Sequence, residues 1–322
     1  MHNQIEELEK ILALPVRETI KKAHLQLEAL QEIRLGIARP LTLWYRGREL
    51  FLTEEGRETL ESHRAKKITE QEVRETLEFA GKYSLYAYED ELRQGYLTLP
   101  GGHRLGIAGK VILENGTVKT IRYVTSLNLR VTHEIKGCAD RILPWLYGPE
   151  GLYHTLLISP PRCGKTTLLR DLIRQISDGG IGYRGMRAGV VDERSELGGC
   201  SLGVPGCDLG KRTDILDGCP KAEGMMMLVR SMSPEVIAVD EIGCRADIEA
   251  MENAIYCGCR ILATVHGSSL SDIQQKPLFS NLMQKEIFDR YIILDARRGP
   301  GTVREIRDRK GKILCSNWQE PV

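Results

Sequence analysis

Aromatic side chains are sparse in this sequence, at 6% of 322 residues, so surfaces on which nucleobases stack are few. Neither sign of charge is in excess. The formal net charge is +1, so no global field draws the chain to nucleic acid or to an anionic membrane, and such a partner would need a local patch. Long apolar runs are missing. The longest are strand-sized, well short of the ~18 consecutive apolar residues of a membrane span. The N-terminus, Met1 to Lys10, carries Glu6, Glu7 and Glu9 and lacks the basic-then-apolar layout of a signal peptide. Cysteine pairing signals are missing too. The nine cysteines make an odd count with no Cys-x-x-Cys pair, and Cys257 and Cys259 lie closer together than zinc ligands usually do. Reduced thiols of a cytosolic chain are the better reading. There are no tandem repeats or low-complexity segments.

What is present is ordinary for a globular protein: 42% hydrophobic and 28% charged residues, in a chain long enough for about two domains. Apolar residues recur at helical spacing from Ile5 to Ile33, broken at Pro15, which predicts two helices. Leu41 to Phe51 reads as strand with a turn at Arg46-Gly47-Arg48. Residues 69–92 read as helix, opened by a capping box of Thr69 and Glu72. Leu97 to Ile112 alternates, Asn115-Gly116 predicts a hairpin turn, and Val118 to Val131 returns. Residues 1–135 are therefore expected to form an α+β domain, with 136–150, which hold Pro144, Gly148 and Pro149, as a linker.

From 151 to 322 the pattern becomes strand, loop, helix, repeated. Leu156–Ser159, Ala188–Asp192, Val236–Asp240, Ile261–Val265 and Tyr291–Asp295 are short apolar runs. Such runs predict an α/β fold with a parallel sheet covered on both faces.

Ser159, Pro160, Pro161, Arg162, Cys163, Gly164, Lys165, Thr166 and Thr167 follow the first of these strands and open a helical pattern, Leu168–Ile176. A phosphate-binding loop requires that context, because backbone N–H groups at a helix start must surround the phosphates. Lys165 is expected to reach the β- and γ-phosphates of ATP, and the Thr166 hydroxyl to ligate Mg²⁺. Ser159 stands where the usual motif has its first glycine. Val236 to Val239 runs into Asp240 and Glu241. Two carboxylates at a strand end need a cation, so Asp240 is expected in the Mg²⁺ shell and Glu241 at the attacking water. Thr264 and His266 end another strand on the same sheet edge, where they would sense the γ-phosphate. Asp192, Glu193 and Glu196 repeat the theme after Ala188–Val191, and Glu193 joins Glu241, Lys165 and His266 as a catalytic candidate. The glycine-rich loop that follows carries Lys211 and Arg212, and the three methionines of the Ala222–Met232 helix read as core filling.

In this order the elements resemble the ATPases of type II and type IV secretion, with their Walker A loop, aspartate box, Walker B segment and histidine box. Asp240 departs from that group, which has glycine there. The closer resemblance covers nearly the whole chain. The loop Ser159 to Thr167, the segment Glu32 to Leu41 and the segment Gly95 to Arg104 are similar to motifs of the stage III sporulation protein AA family. That resemblance implies a RecA-like ATPase of the mother-cell cytoplasm, assembled as a hexameric ring. It also implies peripheral attachment, through membrane proteins, to a channel complex between mother cell and forespore. In such rings an arginine from a neighbouring subunit acts in trans, and Arg212, Arg230 and Arg245 are the candidates. Two other readings stay open. A nucleic-acid-dependent ATPase would use the basic run Arg297 to Lys312, with Arg297, Arg298, Arg304, Arg307, Arg309, Lys310 and Lys312. A nucleotide-gated scaffold would bind ATP and scarcely turn it over.

Overall fold

The computed structural model describes residues 10–82, 88–180, 182–297 and 301–316. The chain forms two compact units: Met1–His133 with Gly199–Gly206, and Glu134–Gly198 with Cys207–Val322.

The first unit is built on an antiparallel sheet. Its strands are β1 (Leu30–Gly36), β2 (Thr42–Tyr45), β3 (Arg48–Leu52), β4 (Glu58–Thr59), β5 (Tyr96–Leu99), β6 (His103–Glu114) and β7 (Thr117–Arg130), in the order β4-β3-β2-β1-β7-β6-β5. The turn at Arg46 and Gly47 has φ of 51° and 74°, and the turn at Asn115 and Gly116 has 53° and 78°. These left-handed pairs suit tight hairpins. A capping box of Thr69 and Glu72 opens the helix Glu70–Ala80, and a second helix spans Glu89–Gln94. The first expected helix, before Pro15, lies mostly outside the described residues; after the break, a helix is described over Leu14–Lys22 with Pro15 in its first turn. Proline begins this helix because its missing N–H would lack an intrahelical partner there anyway. The later part of the second expected helix is corrected. Leu30, Ile33 and Leu35 enter the core from strand β1, since pairing with β2 and β7 on either side overrides a short helical spacing.

In the second unit a short hairpin, β8 (Tyr147–Gly148) with β9 (Gly151–Leu152), precedes an eight-stranded sheet. That sheet contains β10 (Thr155–Ser159), β11 (Ala188–Asp192), β12 (Thr213–Asp217), β13 (Val236–Val239), β14 (Arg260–His266), β15 (Arg290–Asp295), β16 (Thr302–Asp308) and β17 (Ile313–Ser316). The order is β12-β11-β13-β14-β10-β15-β16-β17. Pairing is parallel from β12 to β15 and antiparallel through β16 and β17, so the sheet is mixed rather than wholly parallel. Strands β10 and β11 are buried at every position, as strands covered on both faces must be. The stretch 136–150 is not a linker. Ala139, Ile142, Leu143 and Leu146 recur at helical spacing and join the core cluster that holds Leu168, Leu172 and Ile176. The backbone N–H of Ala139 donates to Asp171 Oδ2 at 2.9 Å. Pro144 and Gly148 sit in a 3-10 turn and a hairpin that fold onto this unit.

Candidate functional site

Strand β10 ends at Ser159, whose side chain is buried and donates to the Pro160 carbonyl at 2.8 Å. A small residue fits this tight exit. Arg162 and Gly164 have φ of 61° and 82°, and from Gly164 the helix Lys165–Asp178 begins with no side chain capping it. Its first N–H groups have no intrahelical carbonyl to bond, which makes the loop an anion cradle. The residues on this loop therefore fit a nucleotide phosphate chain.

Four strand ends meet at the cradle, because β11, β13, β14 and β10 are consecutive neighbours in the sheet. Lys165 Nζ lies 3.3 Å from Asp240 Oδ1 and 3.2 Å from Glu241 Oε1. Thr166 Oγ1 donates to Asp240 Oδ2 at 2.6 Å, so a hydroxyl and a carboxylate suited to Mg²⁺ are already side by side. Thr264 is fully buried; its hydroxyl donates to Asp240 Oδ1 and accepts the Glu241 N–H at 2.8 Å. Glu241 has φ 57°, a strained setting for a non-glycine residue, and the hydrogen bond from its N–H to Thr264 holds it there. His266 Nε2 stands 2.6 Å from Glu241 Oε1. Burial alone would raise the Glu241 carboxyl, but Lys165 and then His266 act against it, and the net direction is downward. The group is thus held as a carboxylate.

Two residues outside the expected catalytic set support the site, of which Asp192 was legible as a strand-end acid and Arg170 was not. Asp192 is 2% exposed, and its carboxylate accepts the N–H groups of Glu196, Leu197 and Gly198 at 2.8–2.9 Å. Arg170, from the helix that follows the phosphate loop, donates to the Leu197 and Glu196 carbonyls at 2.8 and 2.6 Å. Between them they shape the turn after β11. That turn directs Arg194 to Glu241, at 2.8 Å. Glu193, expected in the catalytic set, pairs instead with Lys221 at the start of the next helix. Both residues lie in the turn after β11, and the second of the pair is the one that reaches Glu241.

Of the arginines proposed to act in trans, Arg212 is engaged within its own chain: it donates to the Ser177 carbonyl at 2.9 Å, at the end of the Lys165–Asp178 helix. Arg230 bonds the Met226 carbonyl of its own helix, and Arg245 pairs with Glu249 at 2.8 Å while remaining 88% exposed. In the basic C-terminal run three arginines pair with acids: Arg297 with Asp295, Arg307 with Glu305, Arg309 with Asp289. Arg298 lies outside the described residues. Met225 is buried, whereas Met227 is exposed. A cleft of about 720 Å³ lies at the opposite ends of the strands, lined by Tyr147, Tyr183, Arg184, Glu235 and Arg260. It contains none of the residues gathered at the phosphate loop.

The profile of the family described as "Sporulation stage III, protein AA" matches residues 2–314. The chain belongs to the stage III sporulation protein AA family. A member from Bacillus subtilis strain 168, named stage III sporulation protein AA, is 44% identical over 285 residues, covering 88% of this chain and 89% of that one. Protein SEEDLING PLASTID DEVELOPMENT 1 of Arabidopsis thaliana is 30% identical over 156 residues, but these are 48% of this chain and 22% of that protein. Among solved structures, the Legionella pneumophila ATPase DotB is similar with a TM-score of 0.57 at 15% identity, covering 88% of this chain and 76% of that one. The pilus retraction motor PilT with bound ADP has a TM-score of 0.59 at 16% identity, covering 96% and 84%. The chain thus shares the α/β fold of these two ATPases. Among its described residues, no helix is long and apolar enough to cross a membrane.

Proposed function

We propose that this chain is a Mg²⁺-dependent ATPase that works as an oligomeric motor in sporulation, energising a membrane channel complex between mother cell and forespore. The observation that carries the chemistry is the convergence of Lys165, Thr166, Asp240 and Glu241 on an uncapped helix start. The family and the secretion-type fold support the motor role.

In this reading the loop N–H groups and Lys165 bind the phosphate chain. Thr166 and Asp240 hold Mg²⁺, which neutralises charge on the phosphates when bound. Glu241 orients the attacking water and accepts its proton. Thr264 and His266 fix the direction of Glu241. An exposed Arg245 or Arg230 from a neighbouring subunit would complete the charge around the terminal phosphate. Pairing of Arg297, Arg307 and Arg309 with acids of the same chain, and the scarcity of aromatic side chains, weigh against a nucleic-acid-dependent enzyme.

The test is ATP turnover by the purified chain, with sedimentation run with and without nucleotide, and both repeated with DNA, RNA and detergent-solubilised membrane proteins. Nucleotide-dependent assembly, with turnover raised by a membrane protein, is the expected result. Salt-sensitive stimulation by nucleic acid would overturn the motor reading. Tight ATP binding without turnover under any of these conditions would leave a nucleotide-gated scaffold.

A further inference from the structure

Glu241 has more basic side chains around it than a general base requires. Its Oε1 is shared by Lys165 at 3.2 Å and His266 at 2.6 Å, and its Oε2 takes the Arg194 guanidinium at 2.8 Å. Lys165 belongs to the phosphate loop and His266 ends β14, as the motifs lead one to expect. Arg194 belongs to neither motif, yet the turn that carries it is firmly built. Asp192 gathers three backbone N–H groups beneath it, Arg170 holds two of its carbonyls, and Ser195 adopts φ 51°. A long side chain aimed by so constrained a turn is aimed for a reason other than chance. At the same time its side chain is 65% exposed, so the guanidinium stands at the mouth of the site and is able to change partner.

Charge balance says which partner it would change to. Two carboxylates, Asp240 and Glu241, face Lys165 and Arg194, and these four charges cancel. A triphosphate entering the cradle draws Lys165 to itself and brings its terminal phosphate toward Glu241, an anion. The two repel unless a cation stands between them, and repulsion of this kind is strong where water is partly excluded. A guanidinium is the best candidate, because its planar fork matches phosphate oxygens as well as it matches a carboxylate. ADP has no group at that position.

We propose that Arg194 reads the γ-phosphate from within the same subunit, exchanging its pairing with Glu241 for the terminal phosphate of ATP and keeping that pairing when ADP is bound. This rests on the reading of the site as an ATP site. Five residues beyond Arg194, at Gly199, the chain passes into the segment that belongs to the N-terminal unit. A change at the turn is therefore made at the root of that segment.

The test compares the affinities of ADP and of a non-hydrolysable ATP analogue by competition against a fluorescent ADP derivative, using the full chain as wild type, Arg194→Ala and Arg194→Lys. Arg194→Ala is expected to weaken the ATP analogue by about 10- to 100-fold, the range of a lost charge-assisted hydrogen bond, while ADP stays within about twofold. Arg194→Lys, which keeps the charge but loses the fork, is expected to fall between. Equal weakening of both nucleotides would show that Arg194 only supports the turn, and unchanged affinity for both would show that it meets no phosphate. Either result overturns the proposal. If wild type binds neither nucleotide, the ATP reading itself fails, and that outcome is separate from the other two.

Discussion

The Thr166 hydroxyl lies 2.6 Å from a carboxylate oxygen of Asp240, across a sequence separation of 74 residues. Nothing local brings these groups together. Strands β10 and β13 are joined only through β14, and the pair forms because the ends of these strands share one edge. In the proposed reading the hydroxyl and the carboxylate would hold Mg²⁺, with Lys165 beside them.

That arrangement predicts a specific metal defect. Asp240→Asn keeps the shape but removes a charge, so half-maximal turnover should require about tenfold more Mg²⁺ or beyond, with nucleotide affinity in the absence of metal little changed. Turnover titrated against Mg²⁺ in both proteins checks this, and superimposable curves would remove Asp240 from the shell.

Lys165 and Glu241 should separate binding from chemistry. Lys165→Ala is expected to abolish measurable nucleotide binding. Glu241→Gln should retain it and lower turnover by about 10²- to 10⁴-fold, the usual weight of a general base. Circular dichroism should show both folded. Wild-type turnover in Glu241→Gln would refute the assignment.

The turn after β11 should be sensitive at Asp192. Its carboxylate accepts three N–H groups while 2% exposed, and Asn would turn an NH₂ toward donors. Asp192→Asn should therefore cost about 2 kcal/mol or more, from buried donors left unmatched. A lowered denaturation midpoint at unchanged slope is the expected readout.

Acid should weaken each unit through one histidine. His103, in the first, is held down to about 4 by burial, with His133 adding to the effect. His154, in the second, is held down to about 4 by burial and by Arg260. In the unfolded chain both protonate near the ordinary value of about 6.5. The unfolded state thus binds more protons between these values, so stability is full above about pH 6.5 and falls as pH drops toward 4. Each histidine should contribute on the order of 1–2 kcal/mol of loss by pH 5. Thermal melts across this range check it, and His154→Asn should flatten the decline.

Much of the second unit was legible because its signals are local. An apolar run, a Gly-Lys-Thr-Thr start and a helical pattern lie in immediate succession from Leu156 to Ile176, and each is decided by residues within a few positions. The hairpin turns at Arg46-Gly47 and Asn115-Gly116 were legible for the same reason, since few residues tolerate positive φ. Leu30 to Gly36 misled because apolar residues three apart suit a helix, while the preference for strand came from partners as distant in the chain as Arg130, which pairs with Glu32. The stretch 136–150 misled because Pro144 and Gly148 outweighed the apolar spacing of Ala139, Ile142, Leu143 and Leu146.

By itself the sequence determined which side chains end the strands: Ser159, Asp192, Asp240 and His266. The tertiary structure decided which of them meet. The order β11-β13-β14-β10 is non-sequential, and hydrogen bonding between strands distant in the chain leaves no periodic trace in either one. Nor does a sequence reveal that Glu193 turns to Lys221 while Arg194 turns to Glu241. That choice depends on the three N–H groups closed around Asp192 and on Arg170 reaching across from another helix.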